Sequence, residues 1–365
     1  MGSKKLKKQL KGKKKRAPKI HPDKWLHTGS TLLNCALTGN PNRGFAMGLY
    51  YFLVGDSASG KTFLSLTCLA EAAKNKHFDS HRFIFDDIEG GALMDFEEFF
   101  GADMADRVEP PKGTQENPEF SSDVDDFYYN LDNAYEVARG PEGKPFIYVM
   151  DSMDSIDHKD DEAKFQKKKK AAAAGTEEKG TYGMAKAKAN SQGLRRAQRK
   201  LRKTDSILII ISQTRDNVDQ FSREKKSRGG GRALKFYAHA EMWSANHGQI
   251  QKEYKKKKRE QGLKCGIKVK KNRHTGRRRE VVVPIYHSYG FDDTGSCVDY
   301  LIDEGWWKKR KSKIVAPEFD IIATREKLID HIEENEDEPF LHAAVGKCWN
   351  EIEDAVKLKR KKRYE

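Results

Sequence analysis

Runs of apolar residues that end abruptly in polar ones recur along this chain, with helical patterns between them. Residues 49–54 read Leu-Tyr-Tyr-Phe-Leu-Val and lead into Gly55; residues 82–87 and 146–151 end in acids, Asp86-Asp87 and Asp151. Residues 206–213 run through Ile and Leu to the amide of Gln213. Segments that are apolar on both faces are strands of a parallel sheet covered by helices on both sides. The ligands of such sheets bind beyond the carboxyl ends of the strands. The pattern predicts an α/β fold in which residues 55–62, Glu89, Asp151 and Gln213 meet along one edge, although they are scattered in sequence.

The intervening segments are as legible. Leu64, Leu66, Cys68, Leu69, Ala72 and Ala73 give one apolar face to a helix that should run through Lys74. Residues 184–203 are helical in pattern and heavily basic. Between residues 154 and 180 lies a polar excursion, flexible or weakly helical, that carries Lys167, Lys168, Lys169 and Lys170. Residues 214–231 are polar and close in Gly229-Gly230-Gly231, after which residues 233–238 resume a packed pattern. Alternation in residues 266–270 and 280–286, bridged by His274-Thr275-Gly276, predicts an antiparallel hairpin. From residue 318 the chain reads as a helical appendage ending in a basic run.

Charge sharpens this picture. The chain has 365 residues, of which 37% are hydrophobic, so it can bury a core. Its 70 Lys and Arg against 55 Asp and Glu leave a formal net charge of +15, a balance that favours a polyanionic partner. Ten of those cations crowd into residues 1–19, a basic tail with almost nothing to bury. The five cysteines are scattered without metal-ligand spacing, which argues against a zinc site or a disulfide framework and for a reducing, intracellular setting. No run approaches the length of a membrane-spanning helix and no secretory leader opens the chain, so a soluble, cytoplasmic protein is expected, in a host cell's cytoplasm if a phage encodes it.

Gly55-Asp56-Ser57-Ala58-Ser59-Gly60-Lys61-Thr62 sits between the first strand and the first helix. The spacing G-x-x-x-x-G-K-[ST] is that of a P-loop, whose backbone amides cradle phosphates at the positive end of a helix. Lys61 would reach the terminal phosphates, and the Thr62 hydroxyl with the strand-end carboxylate of Asp151 would hold Mg²⁺, making ATP and Mg²⁺ the expected ligands. Glu89 is the candidate for polarising the attacking water, in competition with Asp86 and Asp87. Gln213 can hydrogen-bond a γ-phosphate without adding charge. The basic loops beside this edge would neutralise nucleic-acid phosphates with little sequence preference, and Phe221 and Phe165 are the aromatics there that could stack on bases. DNA and RNA are not distinguished by charge.

These residues together resemble the RecA/UvsX family of recombinase ATPases over about residues 26–305. His27-Thr28-Gly29-Ser30 is similar to the family's entry to its core, Met150-Asp151-Ser152 to its V-D-S element, and Ile210 to Arg215 to its I-N-Q-x-R strand. Residues 230–238, Gly-Gly-Arg-Ala-Leu-Lys-Phe-Tyr-Ala, match the family's G-G-N-A-L-K-F-Y-A closely, and Val269-Lys270-Lys271-Asn272-Arg273 resembles V-V-K-N-K. The resemblance implies a RecA-like ATPase core over residues 25–315, between a basic tail (1–24) and a helical C-terminal region (316–365). It implies DNA-binding loops near 155–182 and 214–231, with Arg215, Phe221, Arg223, Lys225, Lys226, Arg228 and Arg232 as contacts beside the lysine run 167–170. Phe96 would stack on adenine, and Gln213 would couple the γ-phosphate to the second loop. Lys271 and Arg273 would enter a neighbouring subunit's site. The expected protein is a DNA-dependent ATPase of homologous recombination and repair, assembled as a filament or ring on single-stranded or double-stranded DNA.

The chain also departs from the family. The family's N-terminal subunit-gripping module is expected to be absent or replaced by the lysine-rich tail, the first loop is longer, Leu93 stands at the place of an adenine-side acid, and Arg232 replaces the usual Asn. These departures point to a divergent member such as phages carry. They leave two other readings open, a hexameric helicase or other DNA motor on the same fold and an ATP-binding mediator without catalysis.

Overall fold

A computed structural model describes residues 20–141, 143–173, 184–216, 226–229, 231–361 and 363. Residues 1–19 of the basic tail, Phe221, Arg223, Lys225 and Gly230 lie outside the described residues. At the centre is a ten-stranded sheet whose strands run, in spatial order, Gly290–Phe291, Glu280–Tyr286, Lys257–Asn272, Ala240–Tyr254, Tyr50–Gly55, Ile207–Asp216, Phe146–Asp151, Arg82–Asp87 and Val108–Glu109. The six from Ala240–Tyr254 to Val108–Glu109 are mutually parallel and the three on the other side are antiparallel. The tenth strand, Lys226–Arg228, folds back antiparallel on the end of Ile207–Asp216. The mostly parallel α/β architecture expected from the apolar runs is what forms.

Alternate residues of one strand serve two cores. Tyr51 and Leu53 pack with Leu64, Leu66 and Leu69 of the helix Lys61–Ala73 on one face of the sheet. Tyr50, Phe52 and Val54 pack with Phe127 and Leu131 of Val124–Arg139 and with Leu194 and Leu201 of Met184–Thr204 on the other. All five strand residues are buried, so the continuous apolar run is a consequence of helices on both sides. Register then sets the edge. Gly55 pairs with Gln213 and Asp87 with Asp151, which aligns the P-loop, the amide and the two acids at the carboxyl ends of adjoining strands.

Three parts of the architecture go beyond the sequence pattern. The predicted hairpin 266–270/280–286 is present, but Lys257–Asn272 also pairs along its length with Ala240–Tyr254 across the turn Lys255-Lys256. The polar excursion after Asp154 holds a full helix, Lys159–Ala173. Residues beyond 305 contain a small antiparallel sheet, Lys308–Arg310, Lys313–Ala316 and Ile321–Ala323, before the helices Arg325–Glu334 and Glu338–Ala355. Leu328, Leu341, Val345 and Trp349 of those helices join the same core as the P-loop helix, and Glu353 accepts hydrogen bonds from Arg279 at 2.7 and 2.9 Å.

Candidate nucleotide site

The P-loop leaves its strand at Gly55 and enters its helix at Gly60, and both positions exclude a side chain. A Cβ on Gly55 would lie 2.2 Å from Ser244 Oγ and 2.6 Å from Ser59 Oγ. Gly60 has φ +82°, and a Cβ there would lie 2.5 Å from Ile285 Cδ1. Between them, Ser59 Oγ donates to the Asp56 carbonyl at 2.7 Å, and the Lys61 ammonium donates to the same carbonyl at 2.6 Å. Burial draws the Lys61 pKa downward, opposed by the carboxylates of Asp151, Glu89 and Asp56 around it. A buried cation at a helix N-terminus, with free amides beside it, is a place for phosphate oxygens.

Asp151 is 4% exposed and accepts a hydrogen bond from Thr62 Oγ1 at 2.5 Å. Burial, with Glu89 and Asp87 adding like charge, pushes its pKa up to about 6 against the Thr62 hydrogen bond and Lys61. A hydroxyl and an electron-rich carboxylate in contact fit the donor set of a hard divalent cation such as Mg²⁺. The sign of the linkage follows from the raised value. Asp151 favours folding most strongly below about pH 4, and this contribution is lost as pH rises through about 6. Asp151→Asn is therefore expected to raise the melting temperature of the nucleotide-free protein at pH 7.5, with the gain vanishing near pH 4. Calorimetric melts across that range check it, and a gain that persists at pH 4 would refute the assignment.

The three candidate bases separate in space. Asp86 is fully buried and accepts from Ser121 N, Ser121 Oγ and the Tyr148 hydroxyl at 2.9, 2.6 and 2.7 Å. Asp87 caps the turn through the amides of Gly91 and Ala92. Glu89 alone of the three lines the P-loop cavity, a space of about 500 Å³ that Lys61, Thr62, Asp151 and Gln213 also line. Its Oε1 accepts from Gln213 Nε2 at 2.8 Å, from Ser155 Oγ at 2.9 Å and from Ser152 Oγ. Burial works to raise its pKa, but these three hydrogen bonds outweigh it and hold the carboxyl below its ordinary range. A carboxylate so held is ionised and aimed, as a base for water must be.

Sequence reasoning missed several neighbours. Asp154 accepts from the backbone N–H of Gln213 at 2.8 Å and from Ser212 Oγ, so it fixes the strand end that carries the amide. Asp56, read only as a cradle residue, accepts through its carboxylate from Lys226 Nζ and Thr214 Oγ1, which lower its pKa. The P-loop is thus tied directly to the second basic loop. Phe96, on the short helix Phe96–Phe100, packs on Phe85 and Phe100 and lines an apolar cleft separate from the P-loop cavity. Phe63, Phe99 and Tyr286 line the P-loop cavity, beside Met94, Leu263 and Ile285. The run Phe96, Phe99, Phe100 was the available signal, and only packing selects among its members.

The structure does not bring Lys271 and Arg273 into this cavity. Lys271 pairs across the sheet with Glu241, which pairs with Phe52, three residues before the P-loop begins. Lys271 Nζ donates to the Phe236 carbonyl at 2.8 Å and Arg273 Nη2 donates to it at 2.7 Å, at the end of the helix Arg232–Tyr237. Of the proposed nucleic-acid contacts, Lys167, Lys169 and Lys170 are exposed on Lys159–Ala173, with Lys168 half-buried there. Exposed Arg215 is 3.4 Å from Asp154, and Arg232 is exposed at its helix start. Arg228 lies on the short strand that folds back on Thr214. No helix among the described residues is long and apolar enough to cross a membrane.

A parallel sheet flanked by helices, a glycine cradle and strand-end acids around one cavity define a P-loop nucleotide-binding core. Residues 168–292 match the family model described as the RecA N-terminal domain. The chain is 27% identical over 314 residues to Protein RecA of Thermus thermophilus, covering 84% of this chain and 80% of that one. It is 24% identical over 296 residues to Protein RecA of Ureaplasma parvum, covering 80% and 77%. A shorter match, 34% identical over 115 residues, covers 32% of this chain and 30% of Protein RecA of Streptococcus thermophilus. Over most of its length the chain is thus similar to RecA proteins at 24–27% identity.

Proposed function

We propose that this protein is an ATP-dependent recombinase that binds single-stranded DNA and hydrolyses ATP between subunits, in homologous recombination and repair. The observation that carries the reading is the Gln213–Glu89 hydrogen bond of 2.8 Å, which links the candidate base to the strand that continues into the second basic loop. A γ-phosphate entering the cavity competes with Glu89 for the Gln213 amide, so the ATP state is felt where Thr214 and Arg215 begin the loop. When bound, Mg²⁺ would neutralise phosphate charge between Thr62 and Asp151. Lys61 and the P-loop amides hold phosphate oxygens, and Glu89, kept ionised by its hydrogen bonds, accepts a proton from water. The Asp56 contacts with Lys226 and Thr214 offer a second route by which phosphate charge in the cradle reaches the loop.

Phosphate release from ATP, measured with and without single-stranded DNA, tests the reading directly. Strong stimulation by the single strand is expected. DNA-independent turnover would point instead to a motor that hydrolyses ATP without this coupling, and ATP binding with no release to a mediator.

A further inference from the structure

A single turn of 3₁₀ helix, Met153–Ser155, follows the strand that ends at Asp151, and its side chains divide between two tasks. Ser155, with the preceding Ser152, donates to Glu89 Oε1. Asp154 instead accepts from the strand Ile207–Asp216. Its Oδ2 takes the Gln213 backbone N–H at 2.8 Å and the Ser212 hydroxyl, and its Oδ1 faces Arg215 Nη2 at 3.4 Å. The Asp154 side chain is only 10% exposed, that of Arg215 63%. The carboxylate is enclosed and anchored, whereas the guanidinium stands in solvent.

The far end of the second basic loop closes on the same carboxylate. Lys226–Arg228 pairs back on Thr214 to Asp216 and delivers Gly229 to the ion pair. A Cβ on Gly229 would run into Asp154 Oδ1 and would lie 3.3 Å from Arg215 Nη2, so no side chain fits there while Asp154 holds Arg215. One carboxylate therefore touches both the start and the finish of the loop. Its two oxygens differ in strength. A carboxylate accepting a backbone N–H at short range makes a strong, directional bond, whereas an exposed ion pair at 3.4 Å is weak and readily exchanged.

We propose that Asp154 is a positioning residue that regulates the nucleotide site: through Oδ2 it keeps the Gln213 amide on Glu89, and through Oδ1 it competes with nucleic-acid phosphate for Arg215. This rests on the recombinase reading and supplies a control for that site. A bound strand draws Arg215 to phosphate, while the carboxylate stays with Gln213 and Ser212. The anchor of the Gln213–Glu89 contact thus survives the release of the loop.

The test uses the full-length chain, with phosphate release followed against single-strand concentration and binding of a short fluorescent single strand read by anisotropy. Asp154→Asn keeps an oxygen for the Gln213 N–H but drops the charge that faces Arg215. It is expected to keep the maximal rate within about 2-fold and to tighten single-strand binding about 2–5-fold, the scale of an exposed ion pair. Gly229→Ala, which crowds the pair from the other side, is expected to tighten binding in the same way. Asp154→Ala loses the anchor as well, and its maximal rate is expected to fall about 10-fold or more without weaker strand binding. A residue that only supports the fold would lose rate and strand affinity together. Equal losses of rate in the Asn and Ala variants, or weaker binding in Asp154→Asn, overturn the proposal. If the wild-type protein shows no stimulation by the single strand, the recombinase reading fails. Anisotropy then still decides this one, because unchanged binding in both Asp154→Asn and Gly229→Ala would sink it.

Discussion

Glu89→Gln is expected to cut steady-state phosphate release by about 10²–10⁴-fold, the range over which a positioned proton acceptor acts, while nucleotide affinity stays close to wild type. The amide keeps an oxygen to accept from Ser152, Ser155 and Gln213, so the local hydrogen bonds survive while basicity is lost. Rapid-quench measurement of one turnover, paired with equilibrium binding of a fluorescent ATP analogue, separates the two effects. Full turnover in this variant would remove Glu89 from the role and make Asp87, occupied by the turn amides, the next candidate.

Lys271→Ala/Arg273→Ala is expected to lower turnover by about 10³-fold or more, as loss of cations supplied in trans does in phosphoryl transfer. The decisive form of the experiment mixes two inactive proteins. A subunit carrying Glu89→Gln still offers Lys271 and Arg273, and the double variant still offers Glu89. Random assembly then restores activity at about a quarter of the interfaces. No recovery on mixing would mean that the two cations act elsewhere, for example only as clamps on the Phe236 carbonyl.

The sheet edge was readable because its physics is local. Each strand is buried on both faces, so its residues are apolar until the chain emerges at Gly55, Asp87, Asp151 or Gln213, and the polar residue marks the exit. The far end of the hairpin formed by Ala240–Tyr254 and Lys257–Asn272 was not readable for the opposite reason. From Asn246 to Gln261 the hairpin is exposed almost throughout, so no alternation of apolar and polar residues betrays a strand. The small sheet over 308–323 escaped because its strands are three or four residues long and contribute few buried positions. Within the site, Lys61, Thr62, Asp151, Glu89 and Gln213 were legible from strand ends and spacing. The Asp56–Lys226 contact was not, since it joins residues 170 apart whose meeting depends on how the second loop folds back. Phe96 and Phe99 differ only in which way a five-residue helix turns, and that is settled by packing against Phe85.

If Lys271 and Arg273 serve a neighbour as proposed, their position outside the cavity would give each subunit two unlike ends, one that receives cations and one that donates them. On the reading proposed above, an open chain of n subunits holds n − 1 complete sites and a closed ring holds n. A lone subunit is then silent, and turnover per subunit climbs steeply over the first few additions before levelling. On that reading hydrolysis would measure how many copies stand in line, and ATP would not be spent before assembly.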